Sequence, residues 1–227
     1  MIKKTRIRQV AYLESLERRE LLSVTPQLVA DFDQGAPSLD QQSDNVRLGN
    51  EIFFAADDGS GDVELWKSDG TSAGTVRVKD IRVGASGALP RDFVTAKGRV
   101  LFTAYSDEFG RELWTTDGTE HGTVLVKDLA PGSASPQLDS FTPMGGKMYF
   151  RRDQQLWSTD GTDSGTTAVV TTAVDSLTSF NEQLLFRADI DSQQPQLWVS
   201  DGTTEGTTIL SDAIDPNQIV VADSIVY

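Results

Sequence analysis

Apolar positions in this chain fall in short runs separated by polar, glycine-rich stretches, and four of those runs end in phenylalanine: Ile52-Phe53-Phe54, Val100-Leu101-Phe102, Met148-Tyr149-Phe150 and Leu184-Leu185-Phe186. A second short run, Leu-Trp, follows each of them. The Phe-to-Trp spacing is 12 residues in the first, second and fourth cases but 7 in the third, where the connection ends at Gln155. A loss of that kind belongs to a hairpin loop and not to a paired strand. Next comes Asp-Gly-Thr-x-x-Gly-Thr, in which the carboxylate can accept from backbone two residues on and glycine can take φ > 0, so the chain reverses. A β-branched run follows, Thr75 to Ile81 and Thr123 to Leu129, and then a loop such as Pro131 to Pro136. A fourth, weaker run closes the unit at Asp92 to Ala96 and Ser140 to Met144. The pattern predicts four short antiparallel strands per unit.

All four tryptophans, Trp66, Trp114, Trp157 and Trp198, lie in this phrase and are spaced 48, 43 and 41 residues apart. That period is typical of repeat architectures. Neighbouring residues of a strand point to opposite faces, so Leu and Trp cannot both enter one core. Tandem sheets that must cover both faces are satisfied by stacking each between its sequence neighbours. The expected fold is all-β, a β-propeller-like array of four-stranded blades. Repeats are placed at about 49–96, 97–144, 145–180 and 181–222, within a domain spanning 25–227. Residues 25–48 read as the second half of a unit, with Thr25 to Phe32 resembling the third strand, and 223–227 as the start of a new first strand. Two arrangements follow: a closed five-bladed ring whose last blade draws on both ends, or an open array whose exposed edges invite self-association.

Leu-Trp-x-[Ser/Thr]-Asp-Gly-Thr-x-x-Gly-Thr resembles the bacterial ELWxxDGT repeat family, over roughly residues 49 to 216. The resemblance implies a large extracellular protein of β-propeller type with no established activity. Two units depart from the pattern. Gln155 and Gln196 replace Glu, and Thr167 to Val174 lacks the Lys-Asp of the third strand. Residues 1–24 differ in character: they carry net +3, with Lys3, Lys4, Arg6, Arg8, Arg18 and Arg19 against Glu14, Glu17 and Glu20, while the remainder carries net −17. No apolar run of signal-peptide length follows the basic start. Leu13 to Ser23 resembles the planctomycete LEPR-XLL sorting segment, with Arg18 where that pattern has Pro, which implies a targeting role and a cell-surface or secreted location. The competing reading of this segment is a solvated amphipathic helix.

Composition narrows the chemistry. The chain has 227 residues, a net charge of −14 and no cysteine, so thiol nucleophiles, disulfides and zinc thiolates are out. Acidity and the lack of a basic patch argue against nucleic acid, and no stretch approaches a membrane-spanning helix. The single histidine, His121, occupies a variable turn position and reads as an exposed loop residue. Calcium is the one metal considered, because an acidic extracellular chain has oxygen ligands to spare. Its weak candidates are Asp57, Asp58 and Asp62. The turn residues Asp69, Gly70, Asp117, Gly118, Asp160, Gly161, Asp201 and Gly202 recur in every unit, yet each turn offers one carboxylate, so they read as structural. No cofactor is expected.

The leading functional expectation is therefore a non-catalytic secreted or surface scaffold contacting protein or polysaccharide. One rival is a carboxylate-based glycosidase or lyase, which would require non-repeated acids such as Asp92, Asp139 and Glu182 to converge at one end of the ring. The other is a lectin-like, sugar-binding propeller.

Overall fold

The computed structural model describes residues 45–84, 86–189 and 195–211, with the backbone of 221–222 and 225–226. The recurring Phe and Trp meet as directly opposed cross-strand partners in every sheet: Phe54 with Trp66, Phe102 with Trp114, Phe150 with Trp157 and Phe186 with Trp198. Such facing pairs are the unit by which antiparallel strands hold register. The first sheet comprises β1 (Val46–Leu48), β2 (Glu51–Ala56), β3 (Glu64–Ser68) and β4 (Val76–Lys79). The second holds β5 (Arg91–Ala96), β6 (Arg99–Ser106), β7 (Gly110–Thr116) and β8 (Val124–Lys127). The third holds β9 (Leu138–Met144), β10 (Lys147–Arg152), β11 (Gln155–Thr159) and β12 (Thr167–Val170). The fourth holds β13 (Val174–Phe180), β14 (Gln183–Ala188), β15 (Gln196–Ser200) and β16 (Thr207–Ser211), and a hairpin of β17 (Val221–Ala222) and β18 (Ile225–Val226) follows.

Each four-stranded sheet is an antiparallel meander in sequence order. The fold is all-β and built of propeller-like blades, and no helix occurs among the described residues. Sheet and sequence unit are offset by one strand: the fourth run of a unit, such as Asp92 to Ala96, pairs with the strand after it and opens the next sheet. Each unit thus ties two blades together. The innermost strands β1, β5, β9 and β13 lie side by side in that order. The five-residue difference noted in the third unit falls wholly in the β10–β11 connection, which is Asp153 and Gln154 alone, both at positive φ. Of the proposed partial units, residues 25–44 lie outside the described residues, as does the basic segment 1–24. The choice between closed ring and open array rests on those ends.

Packing follows the alternation of Leu and Trp. Between the first and second sheets, Phe53, Leu65 and Val78 of one meet Val100, Phe102 and Trp114 of the other. Leu101, Leu113 and Val126 meet Met148, Phe150 and Trp157 at the next junction. Tyr149, Leu156 and Val169 meet Leu184, Phe186 and Trp198 at the third. In every case the Leu face of one sheet receives the Trp face of its successor. In the first three sheets the valine of the outer strand, Val78, Val126 or Val169, reaches this layer through a recurring bulge opposite Leu-Trp, where the register slips by one residue. Complete burial of a Phe or Leu contributes roughly 1.5 to 3 kcal/mol, so these layers dominate the stability of the array.

Polar clamps reinforce the stack. Lys79 Nζ donates to Thr123 O at 2.8 Å across the first junction, and Lys127 Nζ to Asp163 O at 3.1 Å across the second. The third sheet has Val170 in place of lysine, and there Thr204 Oγ1 donates to Val169 O at 3.1 Å. A two-sided core also accounts for the thinner cover of the first sheet. Ile52 of the first sheet is 46% exposed whereas its counterparts Val100, Met148 and Leu184 are fully buried, and Phe54 and Trp66 beside it are only half-buried. Among the described residues no sheet precedes that face. Trp114→Ala should accordingly cost about 3 to 5 kcal/mol, and Trp66→Ala less than half as much, read as shifts in urea unfolding midpoint at constant slope. Equal losses would contradict the stacking account.

Candidate functional site

Antiparallel order gives the array two ends. At one, the turn end, lie the Asp-Gly-Thr turns and the hairpins at 49–50, 97–98, 145–146 and 181–182. At the other, the loop end, lie the β2–β3 type connections and the crossovers into the next sheet.

At the turn end every recurring residue has a structural partner. Asp69 Oδ1 accepts from Thr71 N at 2.9 Å and Thr71 Oγ1 at 2.7 Å. Asp117, Asp160 and Asp201 do the same with Thr119, Thr162 and Thr203. Thr75 Oγ1 gives its one proton to Thr71 O, so at the 2.7 Å contact with Ser68 the serine must be the donor, and Ser68 Oγ in turn accepts from Gly70 N. The same directed relay runs through Thr116 and Thr123, Thr159 and Thr166, and Ser200 and Thr207. Gly70, Gly118, Gly161 and Gly202 sit at φ near +90°, where a side chain is strained. The second glycine is needed for space: a Cβ on Gly74, Gly122, Gly165 or Gly206 would strike the turn's own aspartate. Hydrogen bonding by threonine holds all four aspartates below the ordinary carboxylate range. His121 is exposed in its turn, and Glu182 occupies the hairpin turn after β13 at φ +60. Glu182 is therefore at the opposite end of the sheet from Asp92 and Asp139, which start β5 and β9, and the three acids do not converge.

Glutamate of the recurring phrase organises the loop end. Glu64 is fully buried and accepts from the backbone N–H of Ile81, Arg82 and Ala88, each at 3.0 Å. It thereby folds the crossover into β5. Glu112 takes Ala130 N at 2.9 Å in the same way, and burial pushes its pKa up to about 7. That value suits acid–base work, but the carboxyl is fully buried under the crossover, whose Ser133 and Ala134 lie against Gly110. No substrate atom reaches it. In the third sheet the crossover shrinks to residues 171–173 and presents a carbonyl instead of amides, so Gln155 Nε2 donates to Thr171 O at 3.0 Å. The Glu-to-Gln departure in that unit follows from the shorter loop.

The calcium candidates are dispersed. Asp57 Oδ1 accepts from Gly59 N and Gly61 N, and Asp58 Oδ1 from Ser60 N, so both are engaged in shaping their own loop. Asp62 turns away from them. Its carboxylate comes within 4.8 Å of Glu64 and Asp80, with Arg77 Nη1 at 3.2 Å as counter-charge. Desolvation, followed by Asp80, raises its pKa. Sequence register hid this grouping because the three residues belong to three different segments.

A third feature was also invisible in the sequence. Arg151, on β10, donates to Asp139 Oδ1 at 2.6 Å and to Val174 O of the next sheet at 3.0 Å. Arg187 holds the equivalent place on β14, with Asp175 Oδ2 at 3.2 Å. Asp139 spends its oxygens on Arg151, Gln137 and Ser140, and Asp92 accepts from Thr103 Oγ1 at 2.7 Å. Between the third and fourth sheets a cleft of about 360 Å³ opens, lined by Arg151, Arg187, Asp175, Asp189, Gln137 and Gln154. Its apolar lining is Ala173, Val174, Ala188 and Pro195.

No protein-family model matches the chain, and no curated protein matches it. Among solved structures it is similar to a puromycin hydrolase at 16% identity and TM-score 0.48, covering 74% of this chain and 28% of that one. An exo-beta-1,3-galactanase from Clostridium thermocellum is similar at 10% identity and TM-score 0.41, over 79% of this chain and 49% of that one. An alpha-L-arabinofuranosidase from Clostridium thermocellum is similar at 13% identity and TM-score 0.32, over 79% and 78%. This chain spans under a third of the hydrolase and about half of the galactanase. At this level of likeness these neighbours carry no argument about activity.

Two outcomes are expected. Gly122→Ala should destabilise by about 2 kcal/mol and Asp117→Ala by about 1, with the double variant losing less than their sum because removal of the carboxylate makes room for the methyl; strict additivity in chemical unfolding would contradict the turn geometry. Glu112, with a folded-state pKa above its ordinary 4.5, contributes stability that is full below pH 4.5 and is lost as pH rises through about 7. Glu112→Gln should flatten the stability profile across that window, and an unchanged slope would refute the assignment.

Proposed function

We propose that this chain is a non-catalytic scaffold of the cell surface or of secreted material, contacting polysaccharide or protein through its loop end. The single observation that supports it most is the allocation of side chains. Every residue that recurs is engaged in a turn, a crossover or an inter-sheet layer, and the acids named for catalysis are separated or hydrogen-bonded to neighbours. Binding variety then resides in the connections, whose lengths differ most from sheet to sheet at the crossovers, 80–90, 128–137 and 171–173. The resemblance of Leu13 to Ser23 to a sorting segment, and of the repeat to extracellular proteins, supports the location.

The glycosidase reading would need two carboxyls roughly 5 to 10 Å apart in an open cleft, one free to carry a proton. Of the three acids that reading relies on, Asp92 and Asp139 are each engaged by neighbours and Glu182 stands at the far end. The full chain is expected to co-sediment with insoluble cell-envelope polysaccharide or envelope protein, and to release no reducing ends from the same polysaccharides over a day. Release of reducing ends above the buffer blank, abolished by Asp175→Asn, would replace this reading with the enzymatic one.

A further inference from the structure

The cleft between the third and fourth sheets lies where the repeat is broken. In the first sheet the β2–β3 connection runs over 57–63 and the crossover over 80–90, and in the second the crossover runs over 128–137. The third sheet has only Asp153 and Gln154 in the first place and residues 171–173 in the second. Both connections of the third sheet at this junction are short at once. The shortened wall is nevertheless rigid. Asp153 N donates to Gln137 O at 2.9 Å, Asp153 Oδ1 accepts from Gln137 N at 2.9 Å, and Val174 N donates to Gln154 O at 2.8 Å. A recess whose walls are fixed before any ligand arrives loses little entropy on binding.

We propose that this recess binds a neutral, polyhydroxylated saccharide. The proposal deepens the scaffold reading on its polysaccharide side and rests on it. Donors and acceptors line the recess together: the guanidinium groups of Arg151 and Arg187 and the amides of Gln137 and Gln154, with the carboxylates of Asp175 and Asp189. Planar groups that donate or accept in pairs match vicinal hydroxyls, each of which needs one of either kind. Among the described residues of the rim, two positive and two negative side chains cancel, and the chain's net charge of −14 repels polyanions. No aromatic ring lines the cleft, which removes the stacking platform that a nucleobase would use. Small apolar side chains in the lining, Ala173, Val174, Ala188 and Pro195, suit the C–H face of a sugar ring, and about 360 Å³ is at the small end of ligand pockets.

Calorimetric titration of the full chain with neutral disaccharides of glucose, galactose, mannose and xylose, with digalacturonate as the charged control, tests this. At least one neutral disaccharide should bind with Kd of about millimolar or tighter. Ala173 is exposed and lines the cleft, so Ala173→Trp fills the recess without entering the core and should weaken binding at least tenfold at unchanged melting temperature. Gln154 sits at φ +71, so Gln154→Gly removes the rim amide in a backbone that glycine accepts, and should weaken binding about fivefold. Binding that survives Ala173→Trp overturns the cleft while leaving the scaffold reading intact. Preference for digalacturonate overturns the neutral ligand class. Failure of every disaccharide to bind overturns the proposal, and the scaffold reading then stands or falls separately on co-sedimentation with envelope protein.

Discussion

The constraint on which this molecule depends is that a single strand buries two adjacent residues in two different places. Leu65 and Trp66 cannot face the same way, and neither can be left in water without losing the main favourable term in folding. One therefore faces the sheet behind and the other the sheet ahead. Repetition turns that geometric fact into an array, because the Leu face left by one sheet is the complement of the Trp face presented by the next. Phe102, Phe150 and Phe186, opposite their tryptophans, complete the same layers and are fully buried. Stability in such an array is close to a sum of sheets and junctions, which is why the first sheet, with one face less covered, keeps its strands while its tryptophan is partly exposed.

The second requirement is a tight reversal between the Leu-Trp strand and the outer strand. Six residues of the recurring phrase serve it, and each does one thing. The aspartate caps, two glycines supply backbone freedom and space, two hydroxyls form the directed relay that ends on the first threonine's carbonyl, and that threonine's own hydroxyl links the second glycine's N–H to the aspartate. This turn approaches the neighbouring sheet closely, with Gly118 against Phe53 and Gly202 against Tyr149, so turn chemistry and sheet stacking are coupled. With the repeated residues so committed, the loop end is where the chain varies, and it varies chiefly by length. The third unit shortens two connections at once, exchanges Glu for Gln to suit the shorter crossover, and leaves a charged recess beside Arg151 and Arg187.

Much of this was legible in the chain. The strand count, the stacking of sheets and the placement of the shortened hairpin followed from the spacing of Phe, Trp, Gly and Asp, because these are local regularities repeated four times. The offset between unit and sheet was not legible: Asp92 to Ala96 looks like the end of one unit and pairs as the start of the next, a matter of which strand lies beside it in space. The acids shared this fate. Asp62 looked like part of a loop with Asp57 and Asp58 but faces Glu64 and Asp80, and Asp92, Asp139 and Glu182 seemed interchangeable until the strands' direction set them at opposite ends.

Sequence alone determined the all-β repeat, the residues that turn it and the two-sided core, since strand alternation, positive φ at glycine and aromatic burial act within a few residues of one another. Only the tertiary structure decided which side chains from different blades meet: the crossover amides on Glu64, the Arg151 bridge to Asp139 and Val174, and the cleft between the third and fourth sheets. The reason is range. Local patterns are fixed by bonds along the chain, whereas a site at the junction of two sheets depends on distances between segments that the order of residues does not encode.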